Sequence, residues 1–173
     1  MNIAEIKSFL KIDNLTPDTE KAITFFWHEV EKNSVKRHRA VPFSVSKPPF
    51  TLIGEDIKKH LKGCKNGYLF VATLGSSIDS LIKKTQLISM HDAVLIDAVA
   101  SSFLESYCDE ICRDLAKSKN LTTRFSPGYG DFPLEIQPLL LKNSGAEKIG
   151  VSCLESLMMV PSKTVSAIIG IKE

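Results

Sequence analysis

The segment Tyr68-Leu69-Phe70-Val71-Ala72-Thr73-Leu74 constrains this chain more than any other. It is a near-continuous apolar run of strand length, bounded by Gly67 and Gly75. A strand with one wet face alternates between apolar and polar residues; a run without alternation is buried on both faces. The fold must therefore place one layer above this strand and another below it. Gly75-Ser76-Ser77-Ile78-Asp79 follows at once, offering a hydroxyl cap and an early carboxylate for a helix whose buried stripe is Ile78, Leu81 and Ile82.

Helical periodicity supplies material for the covering layers. The longest helix is predicted from about Met90 to Lys117, where Ile96, Val99, Ala100, Phe103, Tyr107, Ile111 and Leu115 recur at helical spacing. Asp97, Ser101, Glu105 and Asp109 run four apart along one border of that stripe. Thr16-Pro17 reads as N-cap and first helical residue of a helix to about Asn33 that buries Ile23, Phe26, Trp27 and Val30. Pro42, Pro48 and Pro49 limit residues 38–53 to short extended pieces, and a short helix is expected from Glu55 to Leu61. Further on, Leu121 to Phe125 reads as a strand. In the tight loop Ser126-Pro127-Gly128-Tyr129-Gly130 that follows, Pro127 and Gly128 suit the two central positions of a type II turn. A helix to about Lys142, with Pro133 or Pro138 near its start, ends at Asn143-Ser144-Gly145. Lys148–Cys153, Leu157–Val160 and Thr164–Ile171 complete the pattern as three closing strands. Helices and strands do not alternate regularly, which predicts an α+β single domain with a largely antiparallel mixed sheet flanked by helices.

Bulk properties exclude several function classes. A chain of 173 residues that is 43% hydrophobic can build one core. Its formal net charge of +2 gives no large basic field, and Lys36-Arg37-His38-Arg39 is too short a run to name a partner, so no nucleic-acid binding is expected. No apolar run approaches the ~20 residues of a membrane span, and Glu5, Lys7 and Lys11 break the apolar pattern at the start. A soluble, cytoplasmic protein without membrane association is expected. Cys64, Cys108, Cys112 and Cys153 form no Cys-x-x-Cys pair, so free thiols and no metal site are expected, with Cys108 and Cys112 in the core.

Arg124-Phe125-Ser126-Pro127-Gly128-Tyr129 resembles the Arg-x-x-x-Gly-Tyr signature of the activation (reactivation) domain of vitamin B12-dependent methionine synthase. Three further segments resemble that family in the same order: Gly67 to Gly75 with Ile78-Asp79, Ile96 to Ala100 through Leu104-Glu105, and Leu154-Glu155-Ser156 with Met159, Pro161 and Val165-Ser166. The resemblance covers roughly residues 65–170. It implies an activation-domain-like fold in which residues 61–173 form the S-adenosylmethionine-binding core and residues 1–60 pack on it as a helical and extended segment, one structural domain overall.

It also implies the ligand-binding residues Glu105, Arg124, Pro127, Gly128 and Tyr129. S-adenosylmethionine presents a carboxylate for a bidentate Arg124, an ammonium for Glu105, and a sulfonium and adenine for the face or hydroxyl of Tyr129; Gly128 allows close backbone approach. No side chain is expected to act as acid, base or nucleophile. The implied function is an accessory one: reductive remethylation of cobalamin held on a separate cobalamin-binding methionine synthase module, with a flavodoxin-like or other electron donor. The alternative is a sensor or scaffold that binds S-adenosylmethionine without supporting turnover. A phosphate loop at Gly128-x-Gly130 lacks a third glycine and any Gly-Lys-Ser/Thr, and no glycine-rich βαβ loop marks a conventional methyltransferase.

The chain departs from the family in three places. Gly130-Asp131-Phe132-Pro133-Leu134-Glu135 replaces a stretch with a proline, a cysteine and a histidine. Ser166-Ala167-Ile168-Ile169 lacks the usual aromatic residues. The sequence to Glu173 is expected to lack a counterpart of the family's C-terminal helices; separately, no equivalent of an N-terminal ligand-binding aspartate can be placed.

Overall fold

A computed structural model describes residues 1–172 apart from the side chain of Ser118; Glu173, the end of the expected 61–173 core, lies outside them. The central sheet contains β1 (Arg37–Ser44), β2 (Cys64–Thr73), β6 (Thr164–Lys172) and β3 (Asn120–Leu121), hydrogen-bonded in that order and antiparallel throughout. The fold class is α+β, with helices on both faces of an antiparallel sheet.

The run that opened the sequence reading lies in β2, one of the two inner strands, and is buried from Gly67 to Leu74. Its side chains divide between two cores. Tyr68, Phe70 and Ala72, with Ala167 and Ile169 of β6, face α1 (Ile3–Leu10), α2 (Pro17–Asn33), α4 (Ser76–Gln86) and α5 (Met90–Leu115). Leu69 and Val71, with Ile168, face a second core built with α3 (Glu55–His60) and α6 (Gln137–Ser144), including Ile57, Phe132 and Leu140. Each fully buried Leu, Ile or Phe contributes roughly 2 kcal/mol by leaving water, so both faces are needed to hold the sheet.

The helices start where their caps dictate. Thr16 Oγ1 accepts from the Thr19 amide ahead of Pro17, and Ser89 accepts from Asp92 ahead of the long α5. Trp27 is half-buried and packs edge-on against Phe103. α4 differs from expectation. Its N-cap is Gly75, which lacks a side chain to cap with, and Ser77 Oγ instead donates to the Asn33 carbonyl, tying α4 to the end of α2.

Four other predictions change. Residues 37–44 form one eight-residue strand despite Pro42, because β1 is at the sheet edge, where a missing N–H costs no ladder bond. The predicted strand Leu121–Phe125 is broken. Leu121 pairs with Ile171 and Phe125 with Ile168, so one extra residue bulges out between these contacts. Most of Lys148–Cys153 is not strand: a 3-10 turn over Ala146–Ile149 ends at Gly150 in the left-handed region, leaving only β4 (Ser152–Cys153). That strand pairs with β5 (Met159–Val160), which is all that remains of Leu157–Val160, in a separate two-stranded sheet. No helix among the described residues is long and apolar enough to cross a membrane.

Candidate functional site

The polar border of α5 and the bulged segment after β3 meet at a cleft of about 430 Å³. One wall is Glu105, Asp109 and Cys112 on consecutive turns of α5. Thr122 to Arg124, with Ser126, Pro127 and Tyr129, form a second, and Gln137, Met159 and Thr164–Ser166 close the remaining side. The bulge has a geometric effect, since the extra residue breaks strand alternation just before Arg124 and swings its side chain over α5.

Arg124 organises the cleft. Its Nη2 donates to Glu105 Oε2 at 2.5 Å, and its Nη1 to Asp109 Oδ1 at 2.8 Å, with Cys112 Sγ at 3.8 Å. The Arg124 side chain is only 18% exposed, against 33% for Glu105 and 59% for Asp109. Burial works against the guanidinium charge, but the acidic groups around it prevail and hold it protonated. Burial pushes the Glu105 carboxyl above its ordinary range, and Arg124 only partly opposes the shift. The thiols of Cys108 and Cys112 are raised for the same reason, so neither is an activated nucleophile. Cys108 is buried as expected, whereas Cys112 is half-buried in the cleft wall.

The same helical border repeats this arrangement further along. Lys163, 11% exposed, donates to Asp97 and to Ser101 Oγ, each at 2.9 Å. Two cations, from the segments on either side of the cleft, thus take the four polar residues of the border in pairs.

The turn takes its expected shape. The Tyr129 amide donates to the Ser126 carbonyl at 3.1 Å, and Gly128 has φ +90°, which any other residue would adopt only with strain. A Cβ on Gly128 would meet only Leu134, at 3.6 Å, and Gly128 does not line the cleft. Its glycine is required by the turn and not by crowding. Pro127 is buried in the cleft wall. Tyr129 stands 57% exposed at the rim, edge-on to Phe125 at 5.9 Å between ring centroids.

Of the sequence candidates, Glu105, Arg124, Pro127 and Tyr129 therefore share one cleft. Asp109, Gln137, Met159 and Ser166 line it as well without having been singled out as ligand residues. Asp109 was traceable, one turn beyond Glu105 on the same border. Gln137 was not: it is buried, donating to the Leu157 carbonyl at 2.6 Å and accepting from Ser166 Oγ at 3.3 Å, contacts set entirely by tertiary structure.

Comparison with solved structures matches this architecture to the MetH reactivation domain bound to AdoHcy, with a TM-score of 0.63 over 91% of this chain and 67% of that one. This chain has the reactivation-domain fold. Sequence identity across the match is 16%, and no protein-family model and no curated protein matches the chain. Within this fold, the cleft lies between α5 and the Ser126–Gly130 turn.

Proposed function

We propose that this cleft binds S-adenosylmethionine and that the chain serves as the reactivation component for a cobalamin-dependent methionine synthase carried on a separate protein. The observation that carries the reading is Arg124, a shielded guanidinium flanked by two carboxylates on consecutive helical turns. An amino-acid zwitterion complements that set. Its carboxylate takes Nη1 from the exposed Asp109, while Glu105 and the released Asp109 receive its ammonium. The cleft volume lies within the usual range for small-molecule sites. Tyr129 offers an aromatic face to a sulfonium or an adenine, a contribution of about 1 kcal/mol. Pro127 and Gly128 set the turn that places it. The solved reactivation domain with AdoHcy supports the same ligand class.

In this reading S-adenosylmethionine supplies an electrophilic methyl group when bound, and the residues of this chain bind, orient and shield it. Holding the reactive group in place is the whole contribution of the chain, and it needs no acid, base or nucleophile. The receiving cobalamin and a flavodoxin-like or other one-electron donor belong to partner proteins.

Calorimetric titration with S-adenosylmethionine tests the site. Saturable binding is expected, weakened at least about tenfold in Arg124→Ala, equivalent to the loss of one charge-assisted contact. Absence of binding to the intact chain refutes the reading. Adding a corrinoid protein and reductant then separates remethylation, seen in the cobalt absorbance, from a sensor or scaffold that binds without turnover.

A further inference from the structure

We infer that Asp131 and Asp56 are a positioning pair for this site, through which α3, in the N-terminal sixty residues, holds the Ser126–Gly130 turn in its binding shape. The inference rests on the cleft being the ligand site.

The contact is reciprocal and made mainly to backbone. Asp131 Oδ2 accepts from the Glu55 amide at 2.7 Å and Oδ1 from the Asp56 amide at 2.9 Å. Asp56 Oδ2 in return accepts from the Asp131 amide at 3.4 Å. Gly54 precedes α3 without a side chain to cap it, so a residue from the loop supplies the cap. Two carboxylates can face each other here because each is bound to the other segment's N–H groups. Those bonds hold the Asp131 carboxyl below its ordinary range.

The two segments are closed onto each other at their glycines. A Cβ on Gly54 would fall 2.6 Å from Asp131 Oδ1 and 2.8 Å from its carbonyl oxygen; one on Gly130 would collide with Asp56 Oδ2. Both also have positive φ, +113° and +53°. At the far end of α3, His60 Nε2 donates to the Thr123 carbonyl at 3.0 Å and lies 2.8 Å from Thr122 Oγ1, and its ring packs on Phe125. α3 thus grips the cleft segment on both sides of Arg124 and Tyr129.

The turn needs such a grip. Tyr129 sits between Gly128 and Gly130, the two most permissive residues available, and its exposed ring meets Phe125 edge-on. Ordering that segment at the moment of binding would subtract from affinity; Asp131 and the buried Phe132 order it beforehand. Gly130-Asp131, which departs from the related signature, thereby acquires a role.

The test compares the full chain with Asp131→Ala and Asp131→Asn by S-adenosylmethionine titration and by amide hydrogen exchange of the free proteins. Asp131→Ala is expected to bind roughly tenfold more weakly, with faster exchange confined to residues 54–56 and 126–132. Asp131→Asn, which keeps an oxygen acceptor, is expected to fall between. Wild-type affinity with wild-type loop exchange in Asp131→Ala overturns the inference. So does acceleration spread evenly through β2, β6 and α5, which would mean general destabilisation. If the intact chain itself fails to bind, the ligand reading falls and with it the role in binding, while exchange separately decides the structural part: local acceleration supports the grip of α3 on the turn and unchanged exchange refutes it.

Discussion

The two carboxylates on Arg124 should not be worth the same, and a double-mutant cycle measures the difference. Glu105 is two-thirds shielded and bonded at 2.5 Å to a guanidinium that is itself only 18% exposed. A charge-assisted bond in such surroundings contributes about 1.5–3 kcal/mol. Asp109 is bonded at 2.8 Å but is 59% exposed, which places it with surface pairs worth at most about 1 kcal/mol. Arg124→Ala removes both and leaves a half-buried carboxylate without its counter-charge, so a total loss of about 2–4 kcal/mol is expected. The coupling of Arg124→Ala with Glu105→Gln should reach about 1–2 kcal/mol, and with Asp109→Asn stay below about 0.5 kcal/mol. Urea unfolding of the five variants (three single, two double) and wild type gives each value from midpoint and slope. Equal couplings, or a larger one at Asp109, would refute the assignment of Glu105 as the principal partner and of Asp109 as the residue that yields to a ligand.

Two further outcomes follow from the same geometry. Burial lowers the pKa of His60 in the folded chain. The unfolded chain then binds the proton more readily, so stability is full above the ordinary histidine value of about 6.5 and is lost as pH falls from there towards the folded value; unfolding midpoints of wild type and His60→Gln across this range should show a smaller acid loss in the variant. In the sheet centre, a Cβ on Gly67 would sit 2.7 Å from the Ile169 carbonyl oxygen, and Gly67→Ala should cost about 1–3 kcal/mol by overpacking against backbone, read from thermal or urea unfolding; an unchanged midpoint would show that β2 and β6 can separate at no cost.

What the sequence revealed depended on whether the information was local. The doubly buried strand was legible because burial on both faces leaves an unbroken apolar run, and α2 because Thr16 and Pro17 are adjacent to the residues they organise. The turn was legible because Pro127 and Gly128 each fix their own backbone. β1 was under-read, since Pro42 argues against a strand unless its position at the sheet edge is known. Ser77 looks like a cap from its neighbours, and only the end of α2 explains why it turns away. Within the cleft, Glu105 and Arg124 were reached through the family resemblance, while the bulge that brings them together depends on how residues 121–125 register with β6. Asp131 lay in the stretch that departs from the family, and its partners are 75 and 76 positions away.

β6 is the last strand among the described residues yet lies second from one edge of the sheet, between β2 and β3. Among the described residues, β3 and Phe125 find their sheet partners there, and Thr164 to Ser166 complete the cleft. During synthesis, the oily strand at 68–74 must wait about a hundred residues for the neighbour that covers one of its edges. Until then one edge of that strand is uncovered, and the cleft lacks the side formed by Thr164 to Ser166. Cellular yield should therefore respond to changes in β6 more sharply than its modest length suggests.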